Sequence, residues 1–221
     1  MESINRYLEK LPFWGRLSID EQELVKKYSS IQKYEKGRLI HGCDSNCLGM
    51  ITVLKGSIRT YMMSEEGREI TLFKLYEKDT CVLAASCIIS QITFDTFMTA
   101  EEDCDILVIQ ASAFLQLIEK NIYVKCYMYE LSTERFSSVM WSMQQILFMK
   151  FDRRLASFLM DEYERTGKNE IKMTHEQIAQ NTSSAREVVA RMLKRFASEG
   201  LVEIKRGTIR LTNVEGLRDI I

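Results

Sequence analysis

Histidine is nearly absent from this chain, with only His41 and His175 among 221 residues. No Ser/His/Asp set can be assembled from those two positions, and no glycine-rich phosphate loop is present. The Asp and Glu residues are scattered. These absences exclude the common hydrolytic and phosphoryl-transfer machineries, so the sequence reads as a non-enzyme. The apolar segments are short and interrupted by charge, and none approaches the roughly eighteen residues of a membrane span. The stretch MESINRYLEKLPF lacks the basic start and apolar core of a secretory signal, which predicts a cytoplasmic chain. No CxxC pair occurs among the six cysteines; three residues separate Cys43 from Cys47, and five separate Cys81 from Cys87. That spacing gives no metal site. In a chain long enough to build its own core, it reads as reduced thiols.

What is present is ordinary in amount and uneven in placement. Hydrophobic residues make up 46% and charged residues 28%, enough for two compact domains. A formal net charge of -1 conceals an asymmetry. Residues 1–149 carry 16 basic against 20 acidic side chains, whereas residues 150–221 carry 14 against 11. Between 172 and 210 the count is 8 against 4, a basic focus that suits an anionic partner.

Residues 18 to 28, SIDEQELVKKY, open with Ser18 and have Glu21 three residues on, a capping box and a short helix. From about Lys33 the pattern becomes RLIHG, GMITVLKGSIRTYMMS, EITLFKLY and CDILVIQ, with Gly37, Gly42, Gly56 and Gly67 between or within them. Short β-branched segments with glycine turns predict a barrel or roll, with SEEGRE a hairpin turn around Gly67. Beyond Ser112 nothing breaks helix as far as Glu164, since neither glycine nor proline occurs there. The apolar set Val124, Met128, Leu131, Val139, Met143 and Ile146 follows helical steps, and its length favours pairing with a second copy. Met128, Met140, Trp141 and Met143 read as core, and His41 as a surface turn residue. DRRLASFLMDEYERTG then predicts an amphipathic helix stopped at Gly167. The three parts are residues 1–111, 112–149 and 150–221.

In THEQ, Thr174 can cap Gln177 and be capped in return; in SARE, Ser184 and Glu187 can do the same. Two helix starts so close together define a helix-turn-helix. Val188, Val189, Met192, Leu193 and Phe196 supply the buried face of its second helix. Arg186, Glu187, Ala190, Arg191, Lys194 and Arg195 remain outside. An isolated RExxxR would be a solvated i,i+4 salt bridge between Glu187 and Arg191. In a capped helix-turn-helix it reads instead as a face for the major groove, where Arg donates to guanine and Glu accepts from cytosine. Ala185 and Ala190 permit close approach. LVEIKRGTIRLT alternates around Gly207 as a hairpin, and Lys205, Arg206 and Arg210 make it a phosphate-contacting wing.

Taken together, these segments resemble the Crp/Fnr family of bacterial transcription regulators, which contains the cyclic-AMP receptor protein. KGRLIHGCDSN and MITVLKGSIRTYMMSEEGREITLFKLYEKD are similar to the family's effector-binding β-roll. MTHEQIAQ and AREVVARMLKRFASEGLVEIKRGTIRL are similar to its winged helix-turn-helix. The resemblance implies an α+β protein with an N-terminal jelly-roll of the cyclic-nucleotide-binding type, a long dimerisation helix and a C-terminal winged helix-turn-helix. It implies a homodimer on a palindromic operator, with RNA polymerase as a further partner. The DNA-contacting set it implies is Thr174, Ser184, Ala185, Arg186, Glu187, Arg191, Lys194, Lys205 and Arg206. Two departures stand out. Ser183 occupies a turn position where the family often has Gly, and Ala185 one where it often has Ser.

The sensor is less legible. The places that hold a cyclic phosphate in the cyclic-nucleotide branch fall near Ala84, Ala85 and Ser86 and near Phe94 and Asp95. A carboxylate there repels a phosphate, which argues against cyclic AMP. No cysteines cluster near the N-terminus as in the iron–sulfur branch. Cys81 and Cys87 flank the expected pocket, as buried thiols, as a thiol redox sensor, or beside a small apolar or haem-like effector. The competing reading of the whole is a ligand-binding roll whose C-terminal domain makes protein contacts only.

Overall fold

The computed structural model describes residues 2–42, 47–82 and 95–221. The expectations placed on Cys43, Ala84, Ala85, Ser86, Cys87 and Phe94 lie outside the described residues. The chain gathers into two compact units, residues 1–63 with 72–140 and residues 64–71 with 141–221.

The first unit opens with α1 (Glu2–Leu8), a 3-10 turn (Trp14–Arg16) and α2 (Ile19–Lys27). The expected box caps α2: the Ser18 amide donates to Glu21 Oε2 at 2.7 Å, and the Glu21 amide to Ser18 Oγ at 3.3 Å. Eight strands follow among the described residues: β1 (Ser29–Tyr34), β2 (Leu39–His41), β3 (Gly49–Lys55), β4 (Ile58–Met63), β5 (Glu69–Leu75), β6 (Thr80–Cys81), β7 (Phe97–Ala100) and β8 (Cys104–Gln110). They form two four-stranded sheets in the orders β1-β8-β3-β6 and β2-β7-β4-β5. This is the jelly-roll the sequence predicts. The uninterrupted apolar run in CDILVIQ has a direct cause. Ile106 and Val108 enter the roll interior with Ile51, Val53 and Met98, while Leu107 and Ile109 pack on the opposite side. There they meet side chains of α1, α2, α3 (Ala111–Lys120) and α4 (Ile122–Phe148). A strand covered on both faces has no polar side to alternate with.

Gly67 takes φ 78° in the SEEGRE turn, where the Ser64 amide donates to the Arg68 carbonyl at 2.9 Å. Gly49, which the strand pattern does not single out, sits at φ 109°, and a Cβ there would strike the Ile109 carbonyl oxygen.

Four expectations are corrected. His41 is not a surface turn residue: it lies in β2 opposite Met98, 6% exposed, with Nδ1 lacking a partner. Burial lowers its pKa against the opposing pull of the Asp95 carboxylate, leaving a neutral imidazole at pH 7. The long helix expected over residues 112–149 is two helices, α3 and α4, and the amphipathic helix expected from DRRLASFLMDEYERTG follows separately as α5 (Phe151–Thr166). Asn121 makes the break by accepting from the Tyr123 amide at 3.0 Å and the Val124 amide at 3.4 Å. A short amide side chain competes with the helical backbone for its own donors. The third correction concerns the stripe on α4. Val124, Met128 and Leu131 are buried within their own unit, whereas Met140, Trp141 and Met143, expected in the core, are 45, 61 and 47% exposed. Last, Cys47 is disulfide-bonded, so the cysteines are not all free thiols. Spacing along a chain does not report the distance between sulfurs.

In the second unit α5 ends where Gly167 takes φ 65°, followed by β9 (Glu170–Ile171), α6 (His175–Asn181) and α7 (Arg186–Ser198). β10 (Val202–Lys205), β11 (Thr208–Leu211) and α8 (Val214–Arg218) complete it. The hairpin forms around Gly207, pairing Ile204 with Ile209, in a sheet ordered β10-β11-β9. Leu155, Leu159, Ile178, Val189, Leu193, Phe196 and Leu211 share one core. Two helices and a hairpin on a third helix make a winged helix-turn-helix. Among the described residues, no helix is long and apolar enough to cross a membrane.

Candidate nucleic-acid interface

The first helix of the pair starts as its sequence dictates. The Thr174 amide donates to Gln177 Oε1 at 2.9 Å, and the Gln177 amide to Thr174 Oγ1 at 3.2 Å. The second does not. Ala185, not Ser184, is the N-cap of α7, and no side chain caps it. The Val188 and Val189 amides both donate to the Ala185 carbonyl, which starts the helix one residue later than a Ser184–Glu187 box requires. Ser184 belongs to the turn, its amide donating to the Ala179 carbonyl at 2.9 Å. The uncapped start leaves the first amides of α7 to other partners, and it is the positive end of the helix dipole.

The turn passes through Ser183 at φ 50°, one of two described non-glycine residues with positive φ. Ser183 thus takes the positive φ that glycine adopts without cost. Serine is held in the left-handed region, at a cost of roughly 1–2 kcal/mol.

Val189, Leu193 and Phe196, at i, i+4 and i+7, are wholly buried and fix the rotation of α7; Val188 and Met192 are half-buried. Arg186, Glu187, Arg191 and Lys194 consequently point outward and are exposed, with half-buried Ala190 among them. No ion pair joins Glu187 to Arg191 among the described residues, so the solvated salt bridge is not what these side chains form. Arg195, counted with them in the sequence, is different. It lies 2.8 Å from Glu199 Oε1 and 3.7 Å from Asp152 Oδ2, and the Glu199 hydrogen bond raises its pKa. Its charge is balanced within the protein.

At the start of α7, Arg186 borders a concavity of about 560 Å³ together with Thr174, His175, Glu176, Lys205 and Arg206. The recognition-helix start, the first-helix start and the wing tip thus meet one surface. His175 and Glu176 were missed in the sequence, although they follow the cap at Thr174 directly. Within the wing, Lys205 Nζ lies 3.5 Å and Arg210 Nη1 3.7 Å from the Glu203 carboxylate. Arg206, in the turn, has no such partner among the described residues. The wing is less basic than three cations imply.

Of the expected effector residues, two are described. Cys81 is a reduced thiol in β6, fully buried and paired in register with Ile51, and Asp95 is exposed.

Comparison with known proteins supplies a frame for this geometry. Residues 153–220 match the Crp-like helix-turn-helix domain, and residues 31–121 the cyclic nucleotide-binding domain. A solved structure from Eubacterium rectale ATCC 33656, assigned to the crp/fnr family of transcriptional regulators, is 40% identical with a TM-score of 0.92. The match covers 95% of this chain and 97% of that one. The "Probable transcriptional regulator flp" of Lacticaseibacillus casei is 24% identical over 95% of both chains. The cAMP-activated global transcriptional regulator CRP of Pasteurella multocida is 25% identical over 85% of this chain and 92% of its own.

The strain at Ser183 is measurable. Ser183→Gly is expected to raise stability by about 0.5–1 kcal/mol, as relief of the left-handed serine outweighs glycine's looser unfolded chain. Urea unfolding should show a higher midpoint at unchanged slope; a lower midpoint contradicts the strain.

Proposed function

This chain belongs to the Crp/Fnr family of DNA-binding transcription regulators, and on that premise we propose a cytoplasmic homodimer that reads a palindromic operator under effector control. One observation carries the reading. The outward face of α7 holds Arg186, Glu187, Arg191 and Lys194 exposed and without an ion pair among the described residues, while Arg195 beside them is neutralised. Uncommitted charge on one face of a helix is what recognition of base edges requires. Arg186 and Arg191 donate in pairs to guanine O6 and N7, and Glu187 accepts from the cytosine amino group. Lys194, Lys205 and Arg206 meet phosphates, as do Thr174 and Ser184 through their hydroxyls, and Ala185 lets the backbone approach. These contacts orient the protein without reading sequence. RNA polymerase is the partner through which a bound regulator acts.

Dimerisation rests on α4. Phe136, Met140, Met143 and Leu147 are exposed and spaced by four, three and four residues, the seam of a two-helix coiled coil. A second copy of the same helix is the occupant that matches such a repeat, because its own seam is identical and self-complementary. Two-fold symmetry then sets half-site centres about 34–36 Å apart.

The effector of this reading is not cyclic AMP, although the Pasteurella relative is named for it. Asp95 is exposed, and a carboxylate at the position where the resemblance puts a cyclic phosphate repels it. A thiol sensor at Cys81 is disfavoured by its complete burial, which removes oxidant access.

Three measurements test this reading on a duplex selected from random DNA by the purified protein. Arg186→Ala should weaken binding to it by about 1–3 kcal/mol and relax preference at one base pair, while Lys205→Ala should weaken all duplexes alike and reduce the salt slope by about one. An Arg186→Ala titration that overlays the parent refutes the assigned role. In sedimentation, Phe136→Asp with Leu147→Asp should yield monomers; a persisting dimer removes the α4 seam from the account. Millimolar cyclic AMP should leave the DNA titration unmoved, and tighter binding in its presence would reinstate the nucleotide.

A further inference from the structure

Away from the DNA-facing surface, the second unit contains a cavity of about 530 Å³. Its walls come from the end of α4, from α5, and from the turn between α6 and α7. Two polar atoms in those walls are buried and have no partner, Arg154 Nε and Asn181 Oδ1. They are opposite in kind, one a donor and the other an acceptor.

The Arg154 guanidinium lies over the Phe151 ring, 5.5 Å from its centroid, and is hydrogen-bonded on one edge only. Its Nη1 donates to the Ile146 carbonyl at 3.3 Å and the Met149 carbonyl at 3.2 Å, closing the end of α4. No other hydrogen bond from this guanidinium occurs among the described residues. The edge left over, Nε with Nη2, is the fork that takes a carboxylate through two parallel hydrogen bonds. Asn181 is equally defined. Its Nδ2 donates to the Gln177 carbonyl at 2.8 Å, so its oxygen is the atom left without a partner and it requires a donor. Ile146 and Phe158 line the same space with apolar surface, and Asp161 adds a carboxylate. Arg154, Phe158 and Asp161 lie at i, i+4 and i+7 of α5 and share one helix face.

We propose that this cavity is a regulatory site for a small apolar α-amino acid. The carboxylate docks on the Nε edge of Arg154. The ammonium donates to Asn181 Oδ1 and faces Asp161, and the side chain rests on Ile146 and Phe158. A simple anion satisfies Arg154 but leaves Asn181 without a donor, and a neutral apolar ligand satisfies neither. The volume suits a molecule of this size within the usual range of small-ligand sites. Regulation follows from position. Asn181 is the last residue of α6, and two residues later the chain turns at Ser183 to enter the recognition helix. A ligand that holds Asn181 holds the turn, and it shifts DNA affinity by its differential affinity for the two arrangements of that turn.

Calorimetry on the full chain with L-leucine and L-phenylalanine decides the ligand chemistry, with leucinamide lacking the carboxylate and 4-methylpentanoate lacking the amine. At least one amino acid should bind with a Kd below about 1 mM, and both analogues at least about tenfold more weakly. Asn181→Leu and Arg154→Lys should each reduce affinity about tenfold or more with an unchanged circular dichroism spectrum, and Asn181→Asp should retain it. If Arg154→Lys fails to fold, the Asn181 pair decides. Saturating amino acid should also move the Kd for the selected duplex by about threefold or more. The proposal is overturned if neither amino acid binds up to about 10 mM, if Asn181→Leu binds as well as the parent, or if saturation leaves DNA affinity unmoved. The ligand-free DNA titration tests the recognition face separately.

Discussion

The orientation of one helix about its own axis governs what this protein can present to DNA. Three side chains set it. Val189, Leu193 and Phe196 are wholly buried, and each contributes about 1.5–3 kcal/mol by leaving water. Because successive residues on a helix are turned by about 100°, a slip of one position would carry Arg186, Glu187 and Arg191 off their common side. The charged pattern contributes little to stability itself. Exposed charges gain at most a few tenths of a kcal/mol from their neighbours, and here no ion pair joins Glu187 to Arg191 among the described residues. The exposed cationic face of α7 is thus an outcome of core packing, and the selection of which cations stay unpaired completes it. Arg195 shows the contrast, since Glu199 and Asp152 hold it one residue beyond Lys194.

The long helix α4 applies the same logic twice. Its first half turns Val124, Met128 and Leu131 into the core of its own unit, while Tyr129 and Phe136, seven residues apart, remain exposed. Its second half continues the exposed series through Met140, Met143 and Leu147. One sequence therefore carries two apolar stripes on different sides, and a single-stripe reading merges them. The break at Asn121 belongs to this division. Its side-chain nitrogen donates to the Arg16 carbonyl at 3.1 Å and to Glu21 Oε2 at 3.0 Å, tying the start of α4 to the N-terminal helices.

Features that depend on neighbours in sequence were legible in advance. The Ser18–Glu21 and Thr174–Gln177 boxes, the turns at Gly67 and Gly207, and the stop at Gly167 all formed, because each needs only residues within a few positions. The Crp/Fnr resemblance itself rested on such segments. What escaped depends on distant parts of the chain. His41 is buried because β7 lies against β2, and Arg195, paired first with Glu199 four residues on, also meets Asp152 on another helix. The Ser184–Glu187 box failed for a subtler reason. Its residue types are right, but the left-handed Ser183 and the Ser184 amide bond to Ala179 delay the helix by one residue. A cap motif states which groups can pair; the preceding turn decides whether they arrive in phase.

Two local rules are broken at that turn. Ser183 occupies a conformation suited to glycine, and Asn181, two residues earlier, buries an acceptor with no donor opposite. In the same cavity Arg154 buries a donor with no acceptor. Each violation is destabilising by about 1–3 kcal/mol, a sizeable part of the whole stability of a small domain. Unsatisfied groups scattered at random would be defects. Three others, His41 Nδ1, Thr60 Oγ1 and Arg135 Nε, lie elsewhere, but Arg154 and Asn181 line one cavity with opposite hydrogen-bonding sense and form a pair suited to a bridging molecule. A cost of this kind persists where function uses it.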